Sequence, residues 1–346
     1  MACVQPLLRW LYALGTDSIK SEGDRINQIP FQMGSITKRG RKLVDGLDVF
    51  SQNAWDDTDW TSEMYNDACR RCEQQKKEST GGDHANIEAI EERVVKKWDS
   101  FYQTHRDRFF KDRKWIFSEF PEVLDTKVSL TIFEVGCGVG NAVANLIESN
   151  PNASFFCCDI SSCAINTLED REFYKNHKDR VIAFQADIVK DFDSVIRGII
   201  EEESVDYVMM IFTLSALKPE VMKRTVSNLA TLLRPGGSIL FRDYGMYDLA
   251  QLRFKGTSLL RDNYYVRADG TTSYFFTKDY LDDLFSSAGL SKVELREDNR
   301  MLVNRRKSLK MCRRWIQARY SKPSLTFCDS NECRQEFESV SLRISR

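Results

Sequence analysis

The chain has 346 residues, of which 42% are hydrophobic, and its formal net charge is −1. This length fits one large α/β domain with an added segment. A near-neutral chain has no general affinity for polyanions, and the lack of an apolar run of about 18 residues argues against a membrane helix. The ten cysteines are scattered and lack paired zinc-ligand spacing, so we expect no metal site. We expect the thiols to be reduced, as in an intracellular protein.

The start of the chain predicts no folded element. Met1 to Leu14 is apolar with Arg9 as its one charge, which is compatible with a weak mitochondrial presequence or a disordered start. We therefore expect a cytoplasmic protein, with a mitochondrial one as the alternative. The predicted regions are a variable start at 1–45, an N-terminal arm at 46–126, an α/β domain at 127–322 and a variable tail at 323–346.

The arm ends in a segment rich in aromatic and basic side chains, Trp98 to Trp115. Its aromatic residues recur at helical and at shorter spacings, whereas one amphipathic helix needs a cleaner apolar stripe. We therefore predict that this segment folds over a cofactor or substrate cleft instead of forming one helix.

From residue 128 onward, short apolar strands alternate with helical patterns. The predicted strands are 130–135, 154–159, 181–186, 205–212 and 237–242. The predicted helices between and after them are 141–149, 161–171, 191–202, 219–233 and 277–288. This alternation predicts an α/β fold with parallel strands and right-handed crossovers. Two final strands, 291–297 and 310–319, are expected to form an antiparallel hairpin at one edge of the sheet.

The first of these strands leads into a glycine-rich turn. Gly136, Gly138 and Gly140 alternate with single residues, whereas dinucleotide-binding turns place two residues before the third glycine. Glycine lets the backbone approach a ligand that a Cβ would block, and Glu134 can meet the cationic end or the hydroxyls of a nucleoside. The spacing favours S-adenosylmethionine over NAD, and a glycine turn without a ligand is the alternative.

Two aspartates end the next strands. In an open α/β sheet, ligands bind at the carboxyl ends of the strands. Asp159, nineteen residues after Gly140, can accept both ribose hydroxyls. Asp187 can accept the adenine amino group while Ile188 packs on the ring. Either aspartate alone can instead cap the helix that follows it, but together with the glycine turn they predict an adenosyl site.

Three segments mix aromatic residues with cations: 98–115, 241–248 and 264–276. Such segments suit a flat base stacked on rings with phosphate nearby, although a surface hairpin with an apolar face gives a similar pattern. The stretches 25–44 and 300–328 hold five and nine basic residues and no acidic ones. They predict a local polyanion-binding face, with a solvated face as the alternative. The expected RNA-binding residues are Arg305, Arg306, Lys307, Arg313 and Arg314.

Several motifs together resemble the tRNA N3-methylcytidine methyltransferases. They are Asn53-Ala-Trp-Asp56, Phe109-Phe-Lys-Asp-Arg113, Glu134-Val-Gly-Cys-Gly138, Phe241-Arg-Asp-Tyr-Gly245 and Tyr265-Val-Arg267. Val303-Asn-Arg305 and Trp315-Ile-Gln317 are similar to the branch acting on threonine and arginine tRNAs, which has cytosolic and mitochondrial members. The resemblance runs from about Val49 to Pro323.

This resemblance implies a class I S-adenosylmethionine-dependent methyltransferase with a Rossmann-like seven-stranded sheet and an N-terminal arm. The implied substrate is a cytidine in the tRNA anticodon loop, at position 32. Besides tRNA, an accessory protein that helps tRNA selection is a further implied partner, and no membrane is expected. The implied cofactor residues, in addition to the glycines, carboxylates and Ile188 above, are Lys111, Arg113, Trp115, Asn141 and Ile211.

The same resemblance implies roles around the reacting base. Cytosine N3 carries a lone pair on its Watson–Crick edge, so the base must be unpaired or turned out before methylation, and no general base is needed. Asp243 is expected to stabilise the cationic product, unless it only braces the loop through Arg242. Tyr244 and Phe275 are expected to stack on or shape the base site, and Arg242 and Arg267 to hold phosphate or orient the base. A methyltransferase acting on a small molecule or another RNA, and a silent adaptor, remain alternatives.

Overall fold

The computed structural model describes residues 41–79, 84–108, 113 and 115–324. Its strands are β1 (Ala54–Trp55), β2 (Leu130–Val135), β3 (Ala153–Asp159), β4 (Val181–Gln185), β5 (Val205–Ile211), β6 (Leu233–Tyr244), β7 (Leu259–Arg261), β8 (Tyr264–Val266), β9 (Thr272–Tyr274), β10 (Ser291–Asn304) and β11 (Leu309–Ser321). Eight of them form one sheet in the order β4-β3-β2-β5-β6-β11-β10-β1. The other three form a small antiparallel sheet, β7-β8-β9.

The central sheet is parallel from β4 to β6 because a helical crossover joins each strand to the next. The helices of this part are α4 (Val143–Ser149), α5 (Ser162–Asp170), α6 (Glu172–Asn176), α7 (Arg197–Ile199), α8 (Pro219–Leu232) and α9 (Lys278–Ser286). Neighbouring residues on each strand enter separate apolar layers, since successive side chains point to opposite faces. Phe133, Val208 and Phe241 lie in one layer, and Ile132, Met209 and Leu240 in the other.

The predicted α/β class, parallel strands and antiparallel hairpin are confirmed, with two corrections, to the number of strands and to the place of the hairpin at the edge. Ala54 and Trp55 pair with Leu302 and Met301 of β10, so the sheet has eight strands where seven were expected. A two-residue strand shows no periodicity, because its two side chains are both buried and its pairing is supplied by the distant hairpin. The hairpin therefore lies one strand inside the edge.

The arm contains α1 (Ser62–Glu78), α2 (His84–His105) and α3 (Ile116–Glu119). The expectation that Trp98 onward does not continue one helix is wrong as far as His105, because these residues form the last turns of α2. Residues 98, 101, 102 and 105 recur at the i, i+3, i+4, i+7 spacing of a helical stripe. Phe101 and Tyr102 pack with Val139 and Ala164 of the α/β domain. The arm thus covers the glycine turn, as predicted.

Helix α1 fastens the arm to the small sheet. The buried carboxamide of Gln75 donates to the carbonyl oxygens of Gln251 at 2.9 Å and Phe254 at 2.8 Å. Its carbonyl oxygen accepts the hydroxyl of Tyr265 at 2.9 Å. A buried amide with all these partners satisfied fixes the relative position of its neighbours. The aromatic segment at 264–276 is therefore held by the arm.

A buried cluster around Arg242 joins the arm, β6 and the hairpin. The Arg242 guanidinium is 2% exposed, donates to Gln317 Oε1 at 2.7 Å and forms an ion pair with Asp298. The rings of Trp115 and Trp315 lie on the guanidinium, each 4.9 Å away. Arg242 was predicted to hold phosphate or orient the base, and the structure corrects this prediction because its guanidinium makes its hydrogen bonds, its ion pair and its contacts with two indole rings inside the protein.

None of the helices in the described ranges has the length and hydropathy needed to cross a membrane. The seven cysteines within those ranges are free thiols.

Removing Asp298 is expected to destabilise the fold strongly. Asp298→Ala removes the nearer of two carboxylates that pair with the buried Arg242 cation and leaves Glu119, at 3.9 Å, which costs roughly 3 kcal/mol in the free energy of unfolding. Urea denaturation measures this change. The matched control is Lys76→Ala, which removes an exposed ion pair with Asp262 at 2.8 Å and should cost about 1 kcal/mol or less. Equal losses in the two variants would show that the cluster does not hold the fold together.

Candidate functional site

The glycine turn lies where the strand order of the sheet reverses, between β2 and β5. Open α/β sheets bind their ligands at such a reversal, outside the carboxyl ends of the strands. Gly136, Gly138 and Gly140 all have positive φ, at +64°, +56° and +77°. This backbone lies in the left-handed region that glycine enters without strain. The predicted turn is thus present at the expected place.

The structure revises why this turn needs glycine. A Cβ on Gly138 would lie 2.5 Å from the hydroxyl oxygen of Tyr102, and one on Gly136 would collide with the side chain of Thr213. The space that we expected a ligand to use is taken at these positions by the protein itself. Tyr102 was not identified individually from the sequence, although its place on the apolar stripe of α2 was a usable signal.

Glu134 is the residue of the turn that best fits a ligand. Its side chain is 2% exposed, and burial raises its pKa to about 7 although Arg113 opposes the shift. Within the described residues, its Oε2 atom has no hydrogen-bond partner. A buried carboxylate oxygen of this kind is costly unless a donor reaches it. The cationic or hydroxyl end of an adenosyl amino acid would supply that donor.

Asp159 braces the turn from the end of β3. Its Oδ2 accepts the backbone N–H of Gly138 at 2.9 Å, and its Oδ1 accepts that of Ser161 at 2.9 Å. Burial raises its pKa to about 6, and these two backbone donors limit the shift. Asp159 therefore stabilises the glycine turn and the start of α5. This is the role that the sequence offered as an alternative to ligand binding, in which the aspartate caps the helix that follows it. Each oxygen keeps a second lone pair, so ribose binding stays a prediction.

Asp187 and Ile188 follow β4 at the same edge of the sheet. The Asp187 Oδ1 atom accepts the backbone N–H of Val189 at 2.9 Å and that of Lys190 at 3.4 Å. Ile188 is buried. The carboxylate thus orders the turn after β4, and its contact with an adenine amino group also remains a prediction.

Arg113 connects the glycine turn to β5. Its backbone N–H donates to the Asn141 carbonyl at 2.9 Å, and its guanidinium donates to the Ile211 carbonyl at 3.0 Å. These contacts place three of the predicted cofactor residues at one cleft. Trp115 instead stacks on Arg242 in the buried cluster, and Lys111 lies outside the described residues.

Asp243 is the last but one residue of β6, at the same edge of the sheet, and is fully buried. Its Oδ2 accepts the backbone N–H of Ser215 at 2.9 Å, and its Oδ1 accepts that of Tyr244 at 2.8 Å. Burial raises its pKa to about 6, while these donors and the charge of Arg267 lower it. The carboxylate is therefore ionised near neutral pH. Asp243 braces the loops after β5 and β6 through these backbone hydrogen bonds. The alternative prediction was that it braces the loop through Arg242, and it does not.

A row of half-buried side chains runs along the ends of β5 and β6. The Arg113 guanidinium lies 5.8 Å from the ring of Phe212, which lies 5.1 Å from the ring of Tyr244. The Arg267 guanidinium lies 5.7 Å from the Tyr244 ring. Such a row can hold a flat, electron-poor base against rings with cations at both ends. We call these four residues the aromatic row.

Phe275 does not belong to the open part of this row. Its side chain has no exposed surface, and its ring lies 5.6 Å from Tyr244 and 5.7 Å from Tyr265. Stacking of a base on Phe275 is thus contradicted, whereas its shaping of the Tyr244 position is supported. Phe212 was missed from the sequence, although an aromatic residue directly after a buried strand was a signal for it.

The predicted RNA-binding residues divide into exposed and buried sets. Arg305, Arg306 and Lys307 are exposed in the turn between β10 and β11. Arg313 is 4% exposed, forms an ion pair with Asp248 at 2.9 Å and stacks on Trp315, so its RNA-binding role is wrong for this conformation.

Arg314 is half-buried and already partnered. It pairs with Glu297 at 2.6 Å and lies 5.1 Å from the ring of Trp60. Its guanidinium is therefore less available for RNA than the turn residues. Within the described ranges, no cluster of His, Cys, Asp and Glu is arranged to hold a metal ion.

Known proteins give an independent comparison. Residues 133–239 match the family described as a methyltransferase domain. The chain is 39% identical to a tRNA N(3)-cytidine methyltransferase METTL2 of Xenopus tropicalis, with 86% of this chain and 97% of that protein covered. It is 42% identical to the tRNA N(3)-methylcytidine methyltransferase Mettl2 of Drosophila melanogaster, over 82% of this chain and 87% of that protein.

Two further comparisons are with a yeast enzyme and with a solved structure. The chain is 35% identical to the tRNA(Thr) (cytosine(32)-N(3))-methyltransferase of Saccharomyces cerevisiae, over 88% of this chain and 48% of that protein. A solved SAM-dependent methyltransferase from Anabaena variabilis is 14% identical, with a TM-score of 0.50, and the match covers 66% of this chain and 95% of that one. The latter match is a likeness of fold.

Ligand affinity should depend on pH through Glu134. S-adenosylhomocysteine carries an ammonium group, so its dissociation constant should fall roughly tenfold from about pH 5.5 to 7.5 as Glu134 ionises. In the ligand-free protein, ionisation of Glu134 has the opposite effect, because it lowers the free energy of unfolding. Because the folded-state pKa is raised from 4.5 to about 7, folding stability is lost as pH rises through that interval.

Isothermal titration calorimetry at several pH values checks this dependence. Glu134→Gln should weaken binding and flatten the pH profile. The control is Glu148→Gln, which changes an exposed carboxylate on α4 and should leave the profile unchanged. An unaltered pH profile in Glu134→Gln would remove Glu134 from the ligand site.

Proposed function

This chain belongs to the tRNA N(3)-cytidine methyltransferase family, and we propose that its substrate is cytidine 32 in the anticodon loop of threonine or arginine tRNAs. It is a methyltransferase enzyme with S-adenosylmethionine as its cofactor. The observation that carries the substrate proposal is the position of the aromatic row. This row lies beside the cofactor cleft, to which it is joined through Arg113 and the Ile211 carbonyl.

The cofactor side of the cleft binds and orients. When bound, S-adenosylmethionine supplies an electrophilic methyl group on a sulfonium. Glu134 presents its unpartnered oxygen toward the amino or hydroxyl groups, and Asp159 holds the glycine turn in place. Tyr102 closes the turn from the arm side and keeps bulk water away from it. Desolvation of this kind strengthens every charge interaction in the cleft.

The substrate side positions the base. The N3 lone pair forms the new N–CH₃ bond while the S–CH₃ bond breaks, so no proton has to be removed. Most of the rate enhancement can then come from alignment, which is worth about 7–11 kcal/mol at best. The base becomes cationic as the bond forms. Asp243, buried behind Tyr244, provides a fixed negative charge that stabilises this developing cation.

Methyl transfer to defined RNAs tests the proposal. Purified protein with a threonine tRNA transcript should yield N3-methylcytidine, detected by mass spectrometry of the digested nucleosides. The matched control is the same transcript with uridine at position 32, which should stay unmodified. Transfer to neither threonine nor arginine tRNA, with and without a cell extract to supply an accessory protein, contradicts the proposed substrate.

Loss of the Asp243 charge should affect turnover more than cofactor binding. Asp243→Asn keeps the side-chain volume and an oxygen for the Tyr244 N–H, yet removes the negative charge. Turnover should fall about 100-fold, while S-adenosylhomocysteine affinity stays within about threefold. Radiolabelled methyl transfer and calorimetry provide the two values.

A second buried aspartate supplies the control. Asp206 accepts the Thr131 N–H at 2.7 Å from the opposite end of β5. Asp206→Asn should lower stability without lowering turnover of the folded enzyme. Parallel losses of turnover and cofactor affinity in Asp243→Asn would assign Asp243 a purely structural role.

The exposed turn between β10 and β11 should contribute to tRNA affinity. Replacing Arg305, Arg306 and Lys307 with alanine removes charges that can contact phosphate, so tRNA binding should weaken and its salt dependence should become shallower by up to about three counterions. Fluorescence anisotropy at several salt concentrations measures both. An equal salt slope in the wild type and the triple variant would place the RNA elsewhere.

A further inference from the structure

Phe212, the residue after β5, has an unusual backbone conformation. Its φ is +57°, in the left-handed region that non-glycine residues rarely adopt. Its N–H donates to the Arg242 carbonyl at 2.8 Å, which fixes the residue between β5 and β6. The following residue, Thr213, donates its hydroxyl to the Val135 carbonyl at 2.8 Å. The backbone is thus held in this conformation from both sides, and strain of this kind clusters at ligand sites.

The ring of Phe212 lies between the two halves of the site. On the cofactor side it contacts Arg113, whose other bonds are to the glycine turn and β5. On the substrate side its ring centroid is 5.1 Å from Tyr244, at an interplanar angle of 55°. Trp315 supports it edge-on at 6.3 Å. Phe212 as a whole is half-buried, unlike the fully packed aromatic residues of the core such as Phe241 and Phe275.

We propose that Phe212 is a base-contacting residue, whose ring forms with Tyr244 the wall against which the target cytosine packs next to the methyl donor. This inference rests on the proposed function. Cytosine acquires a positive charge when N3 is methylated, and an aromatic face attracts a cation more strongly than a neutral ring. The Phe212 wall therefore favours the methylated, cationic base over the neutral one. The left-handed backbone keeps the ring at the boundary between donor and acceptor.

Two variants separate the ring from the backbone. Phe212→Leu keeps an apolar side chain and removes the aromatic face, whereas Phe212→Asn also relieves the left-handed backbone because asparagine tolerates it. Both should lower kcat/KM for threonine tRNA by about 5- to 150-fold, the range expected for a base stacked on an aromatic ring. Phe212→Tyr retains the face and should stay within about threefold of the wild type.

Affinity for S-adenosylhomocysteine is measured in the same variants, because it reports a folded cofactor cleft. It should change by less than about threefold in all three. The control for relief of backbone strain is Glu203→Asn, at an exposed position with φ +56° beyond the opposite end of β5. This control should leave kcat/KM unchanged.

The outcomes distinguish the inference from the proposed function. A wild type that does not methylate tRNA overturns the proposed function and this inference with it. A wild type that is active, with Phe212→Leu and Phe212→Asn equally active, overturns the inference alone. Parallel losses of kcat/KM and S-adenosylhomocysteine affinity overturn it as well, because they would make Phe212 part of the cofactor pocket.

Discussion

Burial of carboxylates at the carboxyl ends of the strands is the constraint on which the site depends. Asp159 is the last residue of β3, Glu134 and Asp243 are the last but one of β2 and β6, and burial raises the pKa of each. Asp159 and Asp243 are stabilised there by backbone N–H donors from the turns that follow them. Ionisation of these groups is costly for the fold, and it provides the negative charge that we propose stabilises a cationic cofactor and a cationic product.

The arm converts this sheet edge into a closed cleft. Tyr102 packs over the glycine turn, Gln75 fastens α1 to the small sheet, and Trp115 stacks on Arg242 of β6. These three attachments lie on different elements of the arm, so its position is set by several independent contacts. The residues predicted to bind cofactor and those proposed to face the base are thereby held as one unit, which is what alignment-based catalysis requires.

Much of the fold and cofactor side could be predicted from the sequence, because both depend on local patterns. Apolar strands alternating with helices specify the parallel sheet, and the glycine spacing with Glu134 locates the ligand edge. The arm and the eighth strand were harder to predict from the sequence. Ala54 and Trp55 pair with a hairpin almost 250 residues away in the chain, and no local period reveals such a partner.

The roles of individual charged residues could not be predicted for a related reason. Arg242, Arg313 and Arg305 look equivalent in sequence, yet the first two are buried in ion pairs and the third is exposed. Burial of an arginine is decided by distant partners, here Asp298 and Asp248, that become neighbours only in the folded chain. The place of Phe212 at the site likewise depends on its left-handed backbone and on its contact with the Tyr244 ring. Tyr244 was expected at the site, but neither that contact nor the backbone conformation is visible in the sequence.

If this cleft methylates N3 of a tRNA cytidine, cells that lack this protein lose the modified base. Mass spectrometry of individual tRNAs from such cells measures this loss. We expect N3-methylcytidine to disappear from position 32 of threonine or arginine tRNAs and to return with the wild-type protein, but not with the Asp243→Asn variant. Unchanged N3-methylcytidine in every tRNA of those cells, with no other enzyme supplying it, would show that this cleft does not catalyse the reaction.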